Sequence, residues 1–198
     1  MASIKGHKSS EMGLHEEVLT GRTQQVFFNP EEGEDSYYQD YSFDVAVDST
    51  ILDSLIKIRE QQDGTLSLRC SCRASICGSC SMRVNGSAKL VCKTRVKEVS
   101  PDGEQILVEP MGNFTVIKDL VTDLTDFYKQ YESVQPWLQA EEPKDLTTER
   151  LQSKEELAEL DGSDECILCA CCSTSCPSYW WNGDKYLGPA TLMQAYRW

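Results

Sequence analysis

Cys72-Arg-Ala-Ser-Ile-Cys77-Gly-Ser-Cys80, followed after eleven further residues by Cys92, is the stretch that decides the first half of the chain. The pattern is C-x4-C-x2-C plus one more cysteine, the plant-type spacing for a 2Fe–2S cluster. The physical reason is wrapping. Three thiolates on one loop surround an iron–sulfur rhomb only where the backbone turns sharply. Gly78 permits the turn, and small Ala74, Ser75 and Ser79 leave backbone N–H groups able to face sulfur. Such hydrogen bonds and neighbouring cations tune a cluster's potential. Cys92 arrives from a hairpin that Asn85-Gly86 marks. Zinc on Cys77-x2-Cys80 is the alternative, although structural zinc favours paired knuckles and this half holds one. Cys70 lies outside the pattern and reads as a bystander thiol.

A second run, Cys166-Ile-Leu-Cys169-Ala-Cys-Cys172-Ser-Thr-Ser-Cys176-Pro177, is C-x2-C-x2-C-x3-C-P, the bacterial ferredoxin spacing. Cys166, Cys169 and Cys172 take three corners of one cubane, and Cys176 serves another cluster. Cys171 breaks no spacing and reads as a buried small residue. Thiolate-held clusters transfer single electrons, and no nucleophile with a general base is visible, so no catalytic residue is assigned. The two histidines, His7 and His15, fall in an N-terminal tail.

Composition supports this reading. Among 198 residues, 19 basic and 32 acidic side chains give a charge of −13, which argues against a nucleic-acid binder. The charge is uneven. Residues 29–48 hold seven acids and no base, and residues 141–165 hold ten acids and three bases. Between them, Arg69, Arg73, Arg83, Lys89, Lys93, Arg95 and Lys97 occur with no acid, around five of the ten cysteines. Cations lower the cost of holding an anionic thiolate site. A solvated basic loop is the plainer alternative. The first 24 residues lack an apolar signal core and mix Lys5, Lys8 and Arg22 with Glu11, Glu16 and Glu17, unlike a secretory or transit peptide. Without export, the cysteines point to metal or redox chemistry rather than disulfides.

The pattern along the chain predicts an α+β protein. A disordered tail covers 1–24, a 2Fe–2S ferredoxin domain 25–112, and a helical domain 113–198. Gln25–Phe28 reads as a short strand. Tyr41, Phe43, Val45 and Val47 alternate with polar residues as a second, paired across the acidic 31–36 loop. A helix follows, capped by Ser49 or Thr50, with Ile51, Leu52, Leu55, Ile56 and Ile58 on its apolar face and Asp63-Gly64 as its stop. Strands are predicted at Leu66–Leu68, Met82–Val84, Leu90–Val91 and Ile106–Val108. Leu120, Val121, Leu124, Phe127, Tyr128 and Tyr131 share a helical face, closed by Pro136. Residues 139–150 read as a linker, and Ser153 with Glu156 as a capping box. A last helix begins at Leu187.

These motifs, with Glu165–Asn182, Tyr186–Ala190 and Ala195–Trp198, resemble the iron–sulfur subunits of succinate dehydrogenase and fumarate reductase over about residues 24–198. The resemblance implies a β-grasp ferredoxin domain followed by a helical bacterial-type ferredoxin domain. It implies 2Fe–2S ligands at Cys72, Cys77, Cys80 and Cys92, 4Fe–4S ligands at Cys166, Cys169 and Cys172, and a 3Fe–4S ligand at Cys176. A quinone pocket would draw on Pro177, Ser178, Trp180 and Trp181, with the Trp181 indole N–H donating to the quinone carbonyl. A packing or interface role is the alternative for the tryptophan pair. Also implied are a succinate-oxidising flavoprotein partner, membrane-anchor subunits, and a place in the tricarboxylic acid cycle and respiratory chain. The expected location is the cytoplasmic face of a bacterial inner membrane, with the mitochondrial matrix face as the alternative. Two departures stand out. Cys70 replaces the family's usual Arg, and the family's remaining 4Fe–4S and 3Fe–4S ligands and a pocket histidine would lie beyond Trp198, so a partial sequence is expected, with a separate chain supplying the missing ligands as the alternative.

Overall fold

Residues 18–27, 36–46, 48–140, 147 and 149–198 are described in the computed structural model, and they divide into two compact units at Asp123/Leu124. In the first unit, β1 (Val18–Phe27) pairs antiparallel with β2 (Tyr37–Ala46), from Val18 opposite Ala46 to Phe27 opposite Tyr37. Period-two alternation works as anticipated where side chains are described. Tyr41 and Val45 are buried, while Ser42 and Asp44 are exposed. Val47, most of the acidic loop and the tail before Val18 lie outside the described residues.

Strand β1 starts at Val18, well before the expected Gln25. Polar Thr20, Arg22 and Thr23 mask the strand pattern. Its stability comes from two partners, β2 on one side and the parallel neighbour β5 (Ile106–Glu109) on the other. Between β2 and the next strand runs α1 (Ile51–Gln61). Thr50 is its N-cap, and Thr50 and Asp53 form a reciprocal capping box. The apolar face of α1 buries Ile51, Leu52, Leu55, Ile56 and Ile58 together with Met82, Val84, Ile106 and Val108. This mixed sheet with one helix across it is the β-grasp core, and the α+β fold class is borne out.

Strands β3 (Ser81–Val84) and β4 (Ser87–Leu90) are joined by Asn85-Gly86, both left-handed with φ 47° and 78°, as a tight primed turn requires. The sheet order is β2-β1-β5-β3-β4. No strand forms at Leu66–Leu68. Leu66 is buried in the core, but Ser67 bonds outside any ladder, its N–H to the Asp119 carboxylate at 2.9 Å and its carbonyl to Leu120 N–H at 3.2 Å. A short α2 (Val96–Val99) and a small hairpin, β6 (Val116–Lys118) with β7 (Val121–Thr122), were not anticipated.

That hairpin corrects the helix predicted from Leu120. Asp119 is left-handed, with φ 48°, and turns the chain, so Val121 enters β7 and α3 covers only Thr125–Ser133. Phe127 is buried as expected, whereas Tyr128 is exposed. The second unit continues with α4 (Lys154–Glu159), whose Ser153/Glu156 capping box is present, then α5 (Cys171–Thr174), α6 (Pro177–Asn182) and α7 (Gly188–Arg197). Its buried apolar side chains among the described residues are Phe127, Pro136, Ala170, Tyr179 and Ala190. Gln130 ties α3 to α6, donating to Gly183 O at 2.7 Å and accepting from the Tyr179 hydroxyl at 3.1 Å. So small an apolar core is the situation in which bound metal staples a fold.

Candidate metal centres

The loop from Cys70 to Cys80 is shaped by residues that L-amino acids disfavour. Arg73, Ser75 and Gly78 have φ of 54°, 60° and 69°. For the two non-glycines this costs about 1–2 kcal/mol each. Left-handed residues alternating with ordinary ones turn successive N–H groups to one side, making an anion-binding nest. Here the N–H groups of Ala74, Ile76 and Cys77 all donate to Cys72 Sγ, at 3.3, 3.4 and 3.3 Å. The Ser75 hydroxyl lies 3.7 Å from Cys92 Sγ.

Strand register brings the other thiols in. Ser81 faces Leu90 in the β3–β4 ladder, and Val91 N–H donates to Cys80 O at 3.3 Å, so Cys80 and Cys92 meet just beyond the hairpin's open end. Cys77 is exposed and its thiol is lowered to about 6. The Ser79 hydroxyl 3.1 Å away is the largest cause, and interactions with Cys72 add to it. Burial pushes Cys80 the other way, to about 11; the Cys92 backbone N–H opposes the rise, and the Cys92 and Cys77 thiols add to it. Metal binding deprotonates both. The surrounding cations are less available than the sequence implied. Arg69 donates to Thr122 O at 2.9 Å, Arg83 pairs with Glu109 at 2.9 Å, and Arg95 and Lys97 both reach Asp48. Arg73 and Lys93 remain exposed beside the cysteines.

The second loop repeats the left-handed backbone. Leu168 and Ala170 are left-handed, with φ of 53° and 62°, between Cys166 and Cys172. Cys172 is raised first by partial enclosure of its thiol, although the residue is exposed as a whole. The charges of Cys169 and Cys166 raise it further, so these three thiols share one neighbourhood. Cys176 caps α6 and lies against the Tyr186 hydroxyl. Cys171 is half-buried rather than buried.

The known family of the 2Fe-2S iron-sulfur cluster binding domain matches residues 24–129, over half the chain. The chain belongs to that family. The 4Fe-4S dicluster domain matches residues 165–198, the part that carries the second loop. A chain of the Mycobacterium smegmatis Sdh1 complex in the apo form is similar in structure. Its TM-score is 0.76 at 26% identity, over 87% of this chain and 71% of that one. A hypothetical protein from Helicobacter pylori shares the fold, with TM-score 0.51 and 17% identity, over 94% of this chain and 30% of that one. The resemblance to succinate dehydrogenase and fumarate reductase iron–sulfur subunits is thereby borne out, and with it an iron–sulfur electron-transfer role.

The expected quinone-pocket residues cluster on α6 and are unlike one another. Pro177 and Ser178 are exposed. Trp180 donates its indole N–H to Thr174 O at 2.5 Å, whereas Trp181 is 77% exposed. A cavity of about 660 Å³ in the second unit is lined by Leu138, Leu157, Leu160 and Trp198 among others, and by none of these four. Among the described residues, no group of three or more His, Cys, Asp or Glu is set to hold a single metal ion. A two-iron rhomb spreads four thiolates over two irons. No helix among the described residues is long and apolar enough to cross a membrane. Sequence reasoning missed the nest-forming residues Arg73, Ser75, Leu168 and Ala170. Their types give no left-handed signal, and their places between closely spaced cysteines are the only hint.

Proposed function

We propose that the chain is the iron–sulfur subunit of a succinate:quinone oxidoreductase, working between a succinate-oxidising flavoprotein and membrane-anchor subunits that help hold quinone. Cys72, Cys77, Cys80 and Cys92 hold a 2Fe–2S cluster, Cys166, Cys169 and Cys172 a 4Fe–4S cluster, and Cys176 contributes to a 3Fe–4S cluster. Such groups accept and release one electron at a time. The observation that carries the reading is the strained backbone at both cysteine runs, with three N–H groups turned onto Cys72 Sγ at the first. Strain of this kind persists where a bound anion repays it.

The residues fit that cargo. Thiols converge, backbone donors face a sulfur, and cations rather than carboxylates border the first loop. The chain's own part is to hold both loops, one on the β3–β4 hairpin and one on α5, and to present backbone donors to Cys72 Sγ. Trp181 offers an exposed indole donor to a quinone carbonyl. Trp180 is already bonded to Thr174 O and holds α6 in place. Attachment to the membrane is through the anchor subunits.

The test is to purify the chain with its partners without oxygen, measure iron and sulfide, and record EPR spectra after adding succinate. An oxidised 3Fe–4S signal before succinate that is lost after it, a reduced 2Fe–2S signal after it, and succinate-dependent quinone reduction are expected. A colourless chain carrying stoichiometric zinc would refute the proposal. Reduction only in the fumarate direction would reassign it to a fumarate reductase.

A further inference from the structure

Between Cys72 and Cys77 the first cysteine loop carries four residues, and one of them is turned inward. Arg73, Ala74 and Ile76 are exposed, whereas Ser75 is half-buried. Ser75 is also left-handed, with φ 60°, a conformation that strains a serine and suits a glycine. A side chain kept at such a position goes against the preference of its own backbone, so what it touches bears on its role.

Its hydroxyl lies 3.7 Å from Cys92 Sγ, 17 residues further along the chain. Cys92 is 8% exposed and follows the β3–β4 hairpin, so this contact joins the loop to the sheet. The Ser79 hydroxyl instead meets Cys77 Sγ two residues away, at 3.1 Å, and the N–H groups of Ala74, Ile76 and Cys77 converge on Cys72. Ser75 is thus the loop residue whose side chain reaches the thiol that the hairpin supplies. While the thiol keeps its proton, either atom of the Ser75–Cys92 pair could donate. Binding of iron removes that proton, and the hydroxyl is then the only donor of the pair.

We propose that Ser75 is a positioning residue whose hydroxyl donates a hydrogen bond to the iron-bound sulfur of Cys92 and so raises the reduction potential of the 2Fe–2S centre. The inference rests on the ligand reading above. Adding an electron makes the sulfurs more negative, so a fixed donor stabilises the reduced form more than the oxidised form. Cys92 is buried, so water competes little for its sulfur. A hydrogen bond of ordinary net strength changes an equilibrium about fivefold.

The experiment is an EPR-monitored redox titration of the 2Fe–2S centre in the purified complex, with iron and sulfide measured in each sample. Two variants separate the hydroxyl from the backbone. Ser75→Ala removes the hydroxyl and keeps the strain, and Ser75→Gly removes both. Each is expected to make reduction about fivefold less favourable, a shift of about 40 mV to lower potential at 59 mV per tenfold. An unchanged potential in Ser75→Ala at full iron content overturns the proposal. So does a shift in Ser75→Ala that Ser75→Gly does not share, because the potential would then follow the backbone. Should Ser75→Ala fail to keep its cluster, Ser75→Gly alone is decisive. A potential below the wild type supports the proposal and a potential equal to it overturns it. Loss of the centre in both variants overturns it as well, since the serine would then serve assembly. A wild-type complex without a 2Fe–2S signal refutes the ligand reading itself, and the role of Ser75 with it.

Discussion

Replacing Gly188 by alanine tests the packing that holds the second cysteine run. Gly188 opens α7 with φ +84°, a conformation that costs alanine about 1–2 kcal/mol. The added Cβ would stand 3.0 Å and 3.2 Å from two atoms of the Tyr179 ring and 3.1 Å from Ser173 Oγ. Neither neighbour can swing into solvent. Tyr179 is buried and bonded to Gln130, and Ser173 is fixed in α5. Overpacking a well-filled site costs about 1–3 kcal/mol. Alanine returns about 0.4–1 kcal/mol by stiffening the unfolded chain. The expected loss is about 2–4 kcal/mol.

The assay suits the protein because all four tryptophans, Trp137, Trp180, Trp181 and Trp198, lie in the second unit. Urea unfolding of the full chain followed by tryptophan fluorescence therefore reports that unit. At about 1–3 kcal/mol per molar urea, the midpoint should fall by about 1–2 M. Combining Gly188→Ala with Ser173→Ala removes one of the close contacts, so the double-mutant cycle should show a coupling of at least about 0.5 kcal/mol. A Gly188→Ala midpoint matching the wild type at unchanged slope would refute the reasoning.

Three further outcomes are expected. The Asp63 carboxylate accepts from the Thr65 hydroxyl and the Tyr41 hydroxyl, both at 2.6 Å, and from Thr65 N–H at 2.9 Å, and it sits below its usual value near 3.8, chiefly through Thr65 and then Tyr41. Its lowered folded pKa means that its stabilisation is present above about 3.8 and is lost as pH falls toward the folded value. Asp63→Asn should flatten that part of an acid-unfolding curve recorded by circular dichroism, and a superimposable curve would count against it. Asn85→Ala removes both a left-handed turn residue and two bonds, Leu107 N–H to Oδ1 at 2.8 Å and Nδ2 to Val99 O at 3.1 Å. A loss of about 2–3 kcal/mol is expected, with earlier bleaching of 2Fe–2S absorbance on heating because Cys92 follows the same hairpin. Trp181→Phe should lower quinone reduction about tenfold while succinate oxidation with an artificial acceptor is kept. Trp180→Phe should instead lower the stability of the second unit by about 1 kcal/mol through the lost bond to Thr174 O. Equal effects of the two on quinone reduction would contradict their assigned roles.

Much of this protein could be read before any fold was known, because the signals were local. Thr50 with Asp53, and Ser153 with Glu156, announce helix starts through bonds spanning three residues. Asn85-Gly86 announces a tight turn because both residues tolerate positive φ. The spacing of the cysteines marked them as candidate ligands. Other signals misled because a distant partner outweighed them. The helical periodicity from Leu120 was real as a pattern, but the Asp119 turn and the pairing of Val116 with Thr122 claimed those residues for a hairpin. Leu66 and Leu68 looked like a strand, yet Ser67 found its partners at Asp119 and Leu120.

Which residues carry sulfur, and how far apart along the chain they stand, needed nothing beyond the order of amino acids. Chain folding was required to turn three N–H groups onto Cys72 Sγ, to meet Cys80 with Cys92, to commit Arg69, Arg83, Arg95 and Lys97 to partners away from the cysteines, and to separate the bonded Trp180 from the exposed Trp181. The difference is one of range. A cap, a turn or a ligand spacing draws its energy from neighbours a few residues away. Left-handed Arg73, Ser75, Leu168 and Ala170 go against their own local preference, so their residue types give no sign of the conformation they adopt.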